Sequence, residues 1–204
     1  MEKTVSIINE NEKIIANILH DIKSPLYSIK FGLQNKLTNE LNRDIFETTM
    51  DIIEYIEKFL INYSFKQGKF ENKISKCNIK NIINKKIENY KYIFIDKNIK
   101  IDFLLEDEVF TLNSIEIFLS SIIGNIISNM AFHGSKNQKA IIELYKKDSC
   151  IYIEFKNLYD KSSENFSMGL EFCAKLARLI KTEIKFRKTK DVVSVNLKIA
   201  NLKK

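Results

Sequence analysis

In the first third of the chain, apolar residues recur at steps of three and four, and little interrupts them. Over about residues 5–37 they fall at Ile15, Ile18, Ile22, Leu26, Ile29 and Leu33, one stripe of one long helix. After a polar turn around residues 38–42 the rhythm resumes at Ile45, Thr49, Ile52, Ile56, Phe59 and Tyr63. Two such helices with a short connection predict an antiparallel hairpin. A lone hairpin cannot bury both stripes, so the spacing predicts pairing with a second copy into a four-helix bundle, a homodimer. One proline and five glycines in the whole chain mean long elements throughout.

Beyond the second helix the pattern changes. Residues 67–78, polar and containing Gly68, read as a linker. From residue 79 the expected order is a helix near 79–92, a strand near 99–105, a helix over about 113–132, and strands at 140–146 and 150–156. A helix over about 166–180 and closing strands near 183–187 and 192–199 complete it. The expected fold class is α+β: residues 1–66 form a dimerising helical hairpin, and residues 79–204 form a C-terminal α/β sandwich.

With 204 residues, 45% of them hydrophobic and 29% charged, each part has material for a core. No apolar run approaches the roughly 18 residues needed to cross a bilayer, and residues 1–11 lack a secretory layout, so a cytoplasmic protein without a membrane role is expected. Cys77, Cys150 and Cys173 form no CxxC pair, and His20 and His133 are the only histidines, so no metal site is expected. The cysteines read as buried free thiols in a reducing compartment. A formal charge of +7 could serve nucleic acid, an acidic membrane or an acidic protein. Lysines are spread along the chain with no Arg-rich arm, which argues against nucleic acid.

On the first helix His20 lies roughly 150° from the centre of the apolar stripe and so faces outward. Ser24, one turn on, and then Tyr27 and Phe31 continue the same outer stripe, offering an imidazole, a hydroxyl and two aromatic rings to a docking partner. A cover of Tyr27 and Phe31 by the second domain of the same chain remains the alternative. A neutral imidazole near its ordinary pKa of about 6.5 is nucleophilic at cellular pH and suits phosphoryl transfer. Asp21 could accept a hydrogen bond from the other ring nitrogen, setting the tautomer and offsetting developing charge. Pro25 removes one backbone donor and loosens the turn around His20.

His20-Asp21-Ile22-Lys23-Ser24-Pro25-Leu26 resembles the H-box, H-[DE]-x-x-[STN]-P, of two-component histidine kinases and of the histidine phosphotransferases derived from them. The resemblance implies that His20 is the phosphoacceptor, Asp21 its acid/base neighbour, and Ser24 a position linked to transfer and dephosphorylation. Further on, Asn125 and Asn129, four apart in Gly124–Ala131, are similar to the N-box of the kinase ATP-binding domain. The family's D-x-G-x-G box has become Asn157-Leu158-Tyr159-Asp160-Lys161, without either glycine. Its G-x-G-L box survives only as Ser167-Met168-Gly169-Leu170, and the lid is reduced to Lys161–Phe166.

An intact phosphoacceptor beside an eroded nucleotide site resembles the ChpT-like and sporulation-type histidine phosphotransferases. This implies a degenerate ATP-binding domain with Asn125, Asn129 and Gly169 as a vestigial nucleotide site, and no ATP-dependent autokinase activity. It further implies response-regulator receiver domains as partners, transfer between their aspartates through His20, and Mg²⁺ supplied by the receiver. Two other readings fit the same residues: a small soluble kinase that phosphorylates His20 from ATP, and a non-catalytic regulator that binds a response regulator.

Overall fold

The structure, a computed structural model, describes residues 15, 17–19, 22–23, 26–30, 32–33, 40–66, 74–105, 110–159 and 168–202. The chain divides into two compact units, Met1–Asn72 and Lys73–Lys204. In the first unit the described positions between 15 and 33 are helical and constitute α1; α2 spans Glu40–Lys66. They meet at Glu57, where the ammonium of Lys23 lies 2.9 Å from Oε1 and the hydroxyl of Tyr27 donates to the same oxygen at 3.2 Å.

The apolar stripes do not meet along that contact. Ile15, Ile18, Ile22 and Ile29 are 45, 52, 42 and 46% exposed, whereas Lys30 is buried. The side of α1 turned to α2 carries Lys23, Tyr27 and Lys30, roughly 100° round the helix from the isoleucines. On α2 the expected stripe is split. Thr49 and Ile56 are buried with Phe46, Met50, Ile53 and Ile61, while Ile45 and Ile52 are exposed with Leu41 and Tyr55. The apolar arc of α2 is therefore wider than a single stripe: one half is buried and the adjoining flank is open.

The second unit is built on a five-stranded sheet in the order β2-β4-β5-β7-β6. Its strands are β2 (Ile99–Leu105), β4 (Gln138–Lys147), β5 (Cys150–Leu158), β6 (Thr182–Lys188) and β7 (Val192–Ile199). β2 runs parallel to β4, and the remaining pairs are antiparallel. Three helices accompany it: α3 (Ile79–Asp96), α4 (Glu116–His133) and α5 (Met168–Leu179), with α4 touching both of the others. Strand alternation explains the layering. Ala140, Ile142, Leu144, Ile151, Ile153, Phe155, Val193, Val195 and Leu197 are buried, and the intervening residues of the same strands reach solvent. α4 is apolar on nearly every side, with Phe118, Leu119, Ile122, Ile123, Ile126, Ile127 and Met130 buried, as a central helix must be.

Two elements differ from the sequence expectation. Ser75–Asn78, read as the end of the linker, forms β1 and pairs antiparallel with β3 (Thr111–Ser114), a strand absent from the sequence reading. Each is four residues long and mostly polar, too short for alternation to register, and only the pairing defines them. Asn78 also caps α3, its side chain accepting from Asn81 N–H at 3.1 Å. The tight β4–β5 turn is closed by Asp148 and Ser149 at φ of 50° and 61°, the left-handed pair of a type I′ hairpin.

Candidate functional site

His20, Asp21, Ser24, Pro25 and Phe31 lie outside the described residues. What the structure gives is their helical neighbourhood, with Leu19 half-buried and Ile18 and Ile22 exposed on either side of His20. Tyr27 is described, and it corrects the expectation that it stands free on the outer face. Its hydroxyl is engaged by Glu57, and the ammonium groups of Lys23 and Lys30 each lie 5.7 Å from its ring centroid. Burial, reinforced by the neighbouring Glu57 carboxylate, pushes its hydroxyl up to about 12. The side chain is thus a contact between α1 and α2.

The second cluster of expected residues gathers around α4. Asn125 and Asn129 fall one turn apart on one face, and the Asn129 amide donates to Asn125 Oδ1 at 3.4 Å. Asn125 is only 7% exposed. Two amides that answer each other have less hydrogen-bonding capacity left for a ligand. Phe132 meets Tyr90 of α3 edge to face with centroids 5.9 Å apart. Gly169 opens α5, in its first helical turn.

At the end of β5 stands Tyr159, 8% exposed, with the ammonium of Lys188 stacked 3.9 Å over its ring. Asn157 is buried, and its Nδ2 donates to the carbonyl of Leu158 at 2.9 Å. The buried Gln138 then clasps this strand end. Its amide donates to Ser135 O and Leu158 O at 2.9 Å each, and its carbonyl accepts from Leu158 N–H at 2.6 Å. A β-bridge joins Gly134 to Tyr159, and Lys97 donates to the carbonyls of Phe132 and Gly134 at the end of α4. Tyr159 and Gln138 hold this strand end, and sequence reading underweights both. The first was visible only as a lost glycine, and nothing local marks the second.

His133 is half-buried in the last turn of α4, and burial, with Lys97 nearby, lowers its pKa from the ordinary imidazole value. Cys77 and Cys173 are buried free thiols as expected, whereas Cys150 is half-buried. Among the described residues no group of His, Cys, Asp and Glu is placed to hold a metal ion, and no helix is long and apolar enough to cross a membrane.

A five-stranded mixed sheet accompanied by three helices resembles the fold of histidine-kinase catalytic domains. The catalytic domain of the histidine kinase ThkA matches with a TM-score of 0.55 and 15% identity over 63% of this chain and 97% of that one. The Acinetobacter baumannii histidine kinase AdeS matches with a TM-score of 0.61 and 10% identity over 87% of this chain and 93% of that one. The cytoplasmic segment of the histidine kinase QseC matches at 0.57 and 8% identity, over 73% and 95%. No family model and no curated protein matches the chain. At these identities the likeness establishes the fold alone.

Proposed function

We propose that this chain is a phosphorelay histidine phosphotransferase in two-component signalling, carrying a phosphoryl group on His20 between the aspartates of two receiver domains. The observation that carries the reading is Tyr159, buried beneath the Lys188 ammonium at the position where the D-x-G-x-G box that this segment resembles has a glycine. The same chain retains the complete His20-Asp21-x-x-Ser24-Pro25 motif. A side chain where a base would lie against bare backbone does not fit ATP.

In the proposed step an imidazole nitrogen of His20 attacks the phosphorus of a receiver's aspartyl phosphate. The N–P bond forms as the P–O bond to the aspartate breaks, and the carboxylate leaves. Attack by the second receiver's aspartate reverses this and regenerates the imidazole. Asp21 offsets the positive charge on the ring, and the Mg²⁺ that neutralises the phosphoryl oxygens belongs to the receiver. Alignment by docking is the chief catalytic contribution. The homodimer belongs to the same reading, supported by the exposed isoleucines of α1 and the open flank of α2, which together form the seam of a four-helix bundle.

ATP-dependent phosphorylation of His20 is the second reading, favoured by Asn125 and Asn129 lying one turn apart in a histidine-kinase fold. One experiment separates the two: incubation with radiolabelled ATP beside incubation with a labelled phospho-receiver. Label on His20 from the receiver alone is the expected result. Label from ATP alone makes the chain a kinase, and label from neither leaves it a binding regulator.

A further inference from the structure

The basic charge is not spread evenly between the two units. Residues 1–72 hold 9 lysines and arginines against 11 acidic residues, a formal −2, whereas residues 73–204 hold 24 against 15, a formal +9. Part of that excess lies on one strand and its turn. Between 181 and 190 stand Lys181, Lys185, Arg187, Lys188 and Lys190, all exposed, with Glu183 as the one carboxylate. Glu183 is matched across the strand pair by Lys198 at 3.2 Å. No ion pair joins Lys181, Lys185, Arg187 or Lys190 to a described carboxylate.

This strand, β6, is the edge of the sheet: it pairs with β7 on one side and with no other described strand on the other. An unpaired edge presents a row of backbone N–H and C=O groups ready for another strand. Its side chains alternate, with Glu183, Lys185 and Arg187 on the solvent face of the sheet and Ile184 and Phe186 on the opposite face, Phe186 being 37% exposed. A second copy of β6 would set lysine against lysine and be repelled.

We propose that the free edge of β6 takes an extended acidic segment of a partner protein as a sixth strand. Acidic side chains of the added strand face Lys185 and Arg187, and apolar ones between them lie against Ile184 and Phe186. Main-chain pairing supplies the affinity, and the charge row selects the partner. The site is independent of His20 and of the relay reading.

The test uses the full chain and a labelled peptide of about nine residues alternating Glu with Val, a strand's length. The expected result is saturable binding that weakens with salt and protects the β6 amides from hydrogen exchange. K185E/R187E should weaken binding at least about tenfold, and a peptide with Lys in place of Glu should bind that variant, which also shows it folded. Absence of binding, binding without protection of β6, or indifference to K185E/R187E overturns the proposal. So does tighter binding of a single-stranded oligonucleotide with the same dependence on K185E/R187E, since that assigns the cations to a phosphate backbone.

Discussion

Glu57 accepts from both Lys23 and Tyr27, so one carboxylate holds two points of α1. Tyr27→Phe removes one hydrogen bond and should lower the stability of the helical unit by about 1 kcal/mol in chemical denaturation, whereas Glu57→Ala strands both donors and should cost about 2 kcal/mol. His133 adds a pH dependence. Its folded pKa lies below the unfolded value, so the unfolded chain takes up the proton first as pH falls, and stability present above about pH 6.5 declines on acidification. Thermal melts at about pH 7.5 and about pH 5.5 should show the loss, and His133→Asn should shrink the difference between them. An unchanged pH slope in His133→Asn would exclude this residue as its source.

The end of α4 shows how an element is stopped. Gly134 follows His133, its N–H reaching Met130 O at 3.2 Å, and a Cβ there would collide with that carbonyl, which is backbone and cannot move aside. Gly134→Ala should therefore destabilise the sheet unit by roughly 1–3 kcal/mol. Gly124, inside the same helix, is crowded only by the end of the Lys86 side chain at 3.0–3.2 Å. That chain can swing away, and alanine is the better helix former by up to about 1 kcal/mol, so Gly124→Ala should be close to neutral. Comparing their denaturation midpoints checks the pair, and equal losses at both sites would contradict the clash at Met130.

Across the whole molecule, the exposed isoleucines of α1 and the proposed loss of nucleotide binding lead to separate expectations. Ile22→Lys together with Ile52→Lys should convert the expected dimer to monomer by light scattering at micromolar concentration, since buried lysines without partners cost several kcal/mol. Retention of a dimer with both lysines in place would move the interface elsewhere. Calorimetric titration with ATP should give no dissociation constant below roughly 100 μM, a free energy weaker than about −5.5 kcal/mol. His20→Ala should abolish labelling from a phospho-receiver while leaving the oligomeric state unchanged, because the expected dimer rests on the isoleucines and not on the imidazole. Labelling that persists in His20→Ala would direct attention to His133.

Several features were legible in the sequence because they are local. The helical rhythm of the first unit and the α/β alternation after residue 79 each follow from the residues in one short window. The tertiary structure alone decided the rest. A periodic stripe says that a face is apolar but not which neighbour covers it, so Ile15, Ile18, Ile22 and Ile29 could be placed on one face of α1 yet not on its open side. β1 and β3 exist only through each other, and Tyr27 turned inward because Glu57, 30 positions away, stands opposite it. In the same way Lys188 covers Tyr159, and Gln138 closes on Leu158, across sequence gaps that no local pattern encodes. Short-range sterics and periodicity act within a few residues, while burial and polar pairing depend on which distant residues the fold brings together.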